Sequence, residues 1–233
     1  MTATPTGSEA PTGLPRRSLA ALIGAAIALV AIVAFVLAFG VSRPPALTPL
    51  AEDPTPAPPG RVAWTSWEDG EECLHVASPD GTARALRCSR DGGGEILGWD
   101  EDGISLLDRG LAQQLVVVDP VTGEVAERRD IDDEPEPRRP GSGGIDSRYE
   151  DGVLTVRHVD QDVVLWAVET PENYRVDQGA TSPDGDWVVL LDGVGRLLLV
   201  PADGSASPRV WAETDSSWQV PVWEGTPVDA TAG

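Results

Sequence analysis

The sequence predicts an all-β protein, a stack of about four small antiparallel sheets after a single N-terminal transmembrane helix. Three observations point there. Residues 19–41 form an apolar run without a charge. From Arg61 onward, short runs rich in Val, Leu and Trp repeat with a period near two. These runs end at Asp-Gly pairs or proline-containing turns, and no amphipathic helix interrupts them. A partly open β-sandwich is the alternative that the same pattern allows.

The formal net charge is -21, and all 17 basic residues are arginine. Beyond Val41 there are 37 acidic residues against 15 arginines, which leaves that part at -22. Such a surface repels nucleic acid and anionic lipid headgroups, so nucleic-acid binding is not expected. Two cysteines and two histidines leave little room for a metal site of the Cys/His type, and no cofactor is implied.

Residues 1–18, rich in Thr, Pro, Ser and Gly, read as a disordered cytoplasmic tail. Residues 19–41 follow, and a helix of this length reaches roughly 35 Å, enough to cross the hydrocarbon layer. Arg16 and Arg17 precede it and set the orientation: N-terminus cytoplasmic, C-terminal part extracytoplasmic, single pass through the cell membrane. A cleaved export signal is the rival reading, with Ala38-Phe39-Gly40 as a loose cleavage site. Residues 42–60 carry seven prolines between Pro44 and Gly60 and read as a stalk of partly extended geometry.

The extracytoplasmic β domain spans 61–223. Its candidate strands are Arg61–Trp67, Cys73–Ala77, Ala83–Cys88, Ile104–Asp108, Leu115–Asp119 and Glu124–Arg128. Val153–His158, Val163–Glu169, Trp187–Asp192, Arg196–Pro201, Pro208–Ala212 and Trp218–Trp223 continue the series. A weak repeat appears when Asp69-Gly70, Asp102-Gly103, Asp151-Gly152 and Asp184-Gly185 are aligned, at spacings of 33, 49 and 33 residues. The long interval holds a charged, breaker-rich insertion, 130–144, that cannot carry a strand core. Hairpin blocks of this size cannot hide both faces alone, so successive sheets must stack like blades. The first strand, Arg61–Trp67, and the last, Trp218–Trp223, lie outside the complete blocks. In a propeller-like arrangement they would join one sheet. Residues 224–233 read as a disordered tail.

Ser182-Pro183-Asp184-Gly185 followed by Asp186-Trp187-Val188-Val189-Leu190 resembles the SPDG motif of WD40-like repeats in TolB-type β-propellers. Ser78-Pro79-Asp80-Gly81 shares the tetrapeptide and is followed by a less apolar strand. The resemblance covers roughly residues 61–223 and implies a bladed all-β fold.

Cys73 and Cys88 are expected to form a structural disulfide in an oxidising compartment. A type I turn at Ser78–Gly81 pairs Ser78 with Thr82 and Leu74 with Leu86. That register sets Cys73 opposite Arg87, so a direct bond needs a bulge or divergent strands. His75 and His158 read as surface or sheet-edge residues. The sequence singles out no catalytic, cofactor-binding or metal-binding residue, and contains no G-x-S-x-G, H-E-x-x-H or P-loop element. The acidic runs at Asp100–Asp102 and Asp130–Glu134 lack EF-hand spacing and read as solvated loops. Trp64, Trp99, Trp166, Trp187, Trp211 and Trp223 fit inward positions, whereas Trp67 and Trp218 sit near strand ends and offer a binding surface.

Together these features favour a membrane-anchored, non-enzymatic interaction or scaffold domain. Its expected partner is an envelope or membrane protein, with a glycan as the alternative. A propeller-type hydrolase or lyase with its site near the central axis is the competing class.

Overall fold

The computed structural model describes residues 27, 29–30, 44–52, 56–90, 94–108, 113–131, 144–214 and 219–228. The chain divides into two units, Met1–Ser42 and Arg43–Gly233. In the first, the described residues Ile27, Leu29 and Val30 are helical and exposed. The rest of the expected membrane span lies outside the described residues. Among the described residues, no helix is long and apolar enough to cross a membrane.

The second unit is all-β. The strands are β1 (Val62–Glu68), β2 (Glu71–Ala77), β3 (Ala83–Ser89), β4 (Gly94–Trp99) and β5 (Ile104–Asp108). Next come β6 (Gln114–Val118), β7 (Val125–Asp130), β8 (Ile145–Glu150), β9 (Val153–His158) and β10 (Val163–Glu169). The last five are β11 (Val176–Thr181), β12 (Trp187–Asp192), β13 (Arg196–Pro201), β14 (Arg209–Glu213) and β15 (Val222–Trp223). They form four antiparallel sheets: β15-β1-β2-β3, β4-β5-β6-β7, β8-β9-β10 and β11-β12-β13-β14, numbered one to four here.

Asp69-Gly70 and Asp151-Gly152 are hairpin turns with φ positive at both residues, the geometry whose twist matches the flanking strands. The repeat is shifted in sheet one. In sheets two, three and four the aligned Asp-Gly pair joins the first strand to the second. In sheet one it joins the second to the third, because the first strand of that sheet is β15, brought from the C-terminus. Val62 pairs with Trp223 and Ala63 with Val222, so the two ends of the domain share a sheet as expected. Sheet three stops at β10, and Val176 opens sheet four.

Three apolar interfaces order the sheets. Ala63, Leu74 and Val76 of sheet one meet Ile104, Leu106 and Val116 of sheet two. On the opposite face of sheet one, Val62 and Trp64 meet Val189, Leu197 and Trp211 of sheet four. The other face of sheet four, with Val188, Leu190 and Leu198, meets Leu154, Val156 and Leu165 of sheet three. The order of packing is therefore two, one, four, three. The innermost strands β4, β15, β11 and β8 follow one another in that order, which is propeller-like. Trp211 Nε1 donates to Ser78 O at 2.8 Å and Trp223 Nε1 to Ala180 O at 2.9 Å, so sheets one and four exchange indole hydrogen bonds.

The proline-rich segment is not a free spacer over its described residues. Leu50 is fully buried against sheets one and four. Val210 N donates to Thr48 O, and Arg196 Nη1 to Pro45 O. The missing donors of proline make such a segment a poor strand, but its carbonyls still accept from a sheet edge. The C-terminal boundary also needs correction. Glu224 accepts from Arg61, and Thr226 forms a bridge with Trp99, so 224–228 fasten sheet one to β4 rather than forming a tail. Within the insertion, Asp130 ends β7 and Ile131 is buried, while residues 132–143 lie outside the described residues.

Candidate functional site

The two faces of sheet one carry two different groups of polar residues. Alternation along β1 turns Thr65 and Trp67 toward the sheet-two side, and register sets Thr65 opposite Leu74 and Trp67 opposite Glu72. Thr65, Glu72 and Leu74 line a cleft between sheets one and two. Arg87 of β3 and Arg128 of β7 stand at its outer side and are exposed, with Asp108 at the end of β5. The Thr65 hydroxyl is buried there and has no hydrogen-bond partner among the described residues. Trp67 is half-buried beside this cleft. Trp218 lies outside the described residues. Its sequence neighbour Gln219 donates from Nε2 to Glu72 Oε1 at 3.4 Å, and Glu72 is the residue opposite Trp67.

The opposite face of sheet one holds Trp64, Ser66 and Glu68 from β1 with Cys73 and His75 from β2. His75 is buried and stacks on Trp64, with centroids 5.1 Å apart and planes at 18°. Its Nε2 lies 2.9 Å from Ser66 Oγ and 3.1 Å from Glu68 Oε1. Burial pushes the His75 pKa down, and the Glu68 carboxylate offsets this only in part. Neutral imidazole is therefore favoured. Serine, histidine and carboxylate come together, but not as a nucleophilic triad. Ser66 and Glu68 address the same ring nitrogen, whereas a triad needs one partner on each.

Cys73 and Cys88 form the expected disulfide. The register begins as the turn at Ser78–Gly81 dictates, with Ala77 opposite Ala83 and His75 opposite Ala85. It then shifts, so that Leu74 faces Arg87 and Cys73 faces Cys88. Leu86 is the extra residue of a bulge. The Leu74–Leu86 pair is thus replaced by the bulge that the disulfide requires, although both leucines still pack in one cluster.

The sheet-edge reading of both histidines is corrected. His158 is buried too, with Nε2 3.1 Å from Thr181 Oγ1 and Nδ1 without a partner among the described residues. Its row on sheet three faces sheet four, next to Ile145 and Val163. Strand endings in the sequence suggested exposure because the covering strand, β11, was not visible there. In the acidic run at Asp100–Asp102, Asp100 Oδ1 accepts from Asp102 N, which is ordinary turn geometry.

The fold class is an all-β, propeller-like stack of four small antiparallel sheets. No protein-family model matches the chain, and no curated protein does. Among solved structures it is similar to TolB from Acinetobacter baumannii, at 17% identity and a TM-score of 0.26, over 67% of this chain and 43% of that one. It is similar to BamB from Moraxella catarrhalis at 12% identity and a TM-score of 0.20, over 67% and 62%. Apo AztD from Citrobacter koseri gives 12% identity and a TM-score of 0.20, over 72% and 51%. The chain thus spans less than two thirds of each of these proteins. The resemblance is distant and partial, and it assigns no activity.

Proposed function

We propose that the chain is a single-pass, membrane-anchored interaction domain, held outside the cytoplasm, that docks a protein partner of the envelope or membrane. The face that does so is the junction of sheets one and two. The observation that carries this reading is the contiguity of Trp67 with the cleft between Arg87 and Arg128. An exposed part of an indole beside two guanidinium groups suits a partner that presents an apolar side chain next to carboxylates. Glu72 and Asp108 line the same cleft, so the two arginines make it balanced in charge on a chain whose net charge is -21. The sequence also offers Trp218 for a binding surface, and it is kept in the proposal on that ground alone. The turn and strand at Ser182–Leu190 support placing the domain with TolB-type WD40-like propellers. The uncharged run at 19–41, the pair Arg16-Arg17 and the Cys73–Cys88 disulfide support the anchor, its orientation and the oxidising compartment.

A photo-crosslinking residue placed at Trp67 in the intact membrane form tests the docking face. It should yield a discrete adduct that Arg87→Glu together with Arg128→Glu abolishes, while the same group at Val194 on sheet four yields none. Equal adducts at both positions would reject the face. A reporter fused after Gly233 tests the topology separately, and activity only in the cytoplasm would reject the orientation.

A further inference from the structure

On the sheet-four side of sheet one, the geometry points to a latent binding site for a borderline divalent cation such as Zn2+, made from Cys73, His75 and Glu68 and closed off while Cys73 is bonded to Cys88. The side-chain donor atoms of these three residues all lie within 4.8 Å of one another. Strand alternation puts Cys73 and His75 on one face of β2, and register brings β1 alongside with Trp64 opposite His75 and Ser66 opposite Cys73. The set is a thiolate, an imidazole and a carboxylate, which matches the ligand preference of Zn2+. His75 Nε2 and Glu68 Oε1 are already 3.1 Å apart. Bond lengths of roughly 2.0–2.3 Å to a shared tetrahedral ion put neighbouring donors about 3.3–3.8 Å apart, so the three atoms need to move by about 1 Å or less.

The cluster also has an entry. The Glu68 side chain is 37% exposed whereas that of His75 is 9% exposed, so the site opens at its carboxylate end. The two sulfurs differ in the same way. Cys73 is buried and Cys88, on the outermost strand, is exposed. A dithiol reductant would therefore attack Cys88 Sγ. The Sγ–Sγ bond breaks, its electron pair leaves on Cys73 Sγ, and the second thiol of the reductant resolves the mixed disulfide. The dithiol ends as its own disulfide and Cys88 as a thiol. The released Cys73 thiolate then lies near the Glu68 carboxylate in a partly desolvated space. Two negative groups there disfavour each other, and a divalent cation with a neutral imidazole balances both charges. Oxidation removes the thiolate ligand, so the disulfide and the bound cation exclude one another.

The full chain in detergent micelles, titrated with Zn2+ against a chromophoric chelator, provides the test. After reduction with a phosphine, one Zn2+ should bind per chain, and the oxidised chain should compete at least about 100-fold more weakly. Co2+ added to the reduced chain should give a thiolate-to-metal charge-transfer band. His75→Ala and Glu68→Gln should each weaken Zn2+ binding by at least about 10-fold, since loss of outer-shell partners alone costs that much. Cys88→Ser cannot form the disulfide, and it should bind Zn2+ with no reductant present. Equal binding by oxidised and reduced chains overturns the inference, as does undiminished binding by the His75 and Glu68 variants. A folded Cys88→Ser chain that fails to bind overturns it too. So does loss of native circular dichroism in both the reduced chain and Cys88→Ser, because a chain that needs the bond to fold cannot hold the site.

Discussion

Sheets three and four have the same antiparallel grammar but opposite surroundings. Sheet four lies between sheets one and three, and every residue of β12 from Trp187 to Asp192 is buried. Among the described residues, sheet three has one covered face. Its rows Ile145–His158–Val163 and Tyr149–Leu154–Val168 turn toward sheet four. The intervening rows, Asp146–Arg157–Val164 and Glu150–Val153–Glu169, include its exposed side chains. The difference is written in the periodicity. A continuous apolar run such as Trp-Val-Val-Leu-Leu marks a strand covered on both faces, and strict alternation marks one covered on a single face. Position in the stack is therefore encoded strand by strand.

The largest effect should come from the residue that ties the sheets together. Trp223 is fully buried, pairs with Val62 across the closing strand and donates to Ala180 of sheet four. Trp223→Ala should cost about 3–5 kcal/mol, read as a lower urea midpoint by tryptophan fluorescence. A cost below about 1 kcal/mol would mean that the chain ends contribute little to the stack.

Leu198 and Val164 then separate interior from end. Leu198, in sheet four, is fully buried, and Val164, in sheet three, is 45% exposed. Leu198→Ala should lose about 2–5 kcal/mol, whereas Val164→Ala should stay within about 0.5 kcal/mol. Similar losses at both would break the assigned order of the sheets.

The junction between these two sheets gives a subtler test. A Cβ on Gly179 of β11 would stand 2.8 Å from Val189 O, 2.9 Å from Leu190 Cδ2 and 3.0 Å from Ile145 Cγ1 of β8. Gly179→Ala should therefore cost about 1–3 kcal/mol through overpacking. Gly179→Ala at no cost would show that the innermost strands lie farther apart than this.

That glycine also explains which parts of the fold were legible. Ile104–Asp108, Val153–His158, Val163–Glu169, Trp187–Asp192 and Arg196–Pro201 were readable to the residue, because they are middle or third strands with clean apolar patterns. The three missed strands, β4, β8 and β11, are all innermost. Neighbouring blades converge on them, so their sequences carry small or polar residues such as Gly94, Gly98, Ser147 and Gly179 in place of apolar alternation. The disulfide was legible as a pair but its register was not. The bulge at Leu86 has no signature in composition, and the same device recurs in the outermost strand of each sheet, at Ala126, Leu165 and Trp211. The cluster around His75 was hidden for a related reason. Its members share one face of the hairpin but come from both strands, and only the register of β1 against β2 brings Glu68 to His75.

The smallest effect concerns acid, and it distinguishes the interior interface from the end. His75 sits on the face of sheet one that packs toward sheet four, and burial lowers its pKa from the ordinary 6.5. The unfolded chain therefore takes up this proton at a higher pH than the folded one. The associated stability is fully present above pH 6.5 and is lost as pH falls through the lowered folded value. His75→Gln should flatten the change in urea midpoint between pH ~7.5 and ~5. If the variant and the native chain lose stability in parallel over that range, the interior of the stack is not where acid acts.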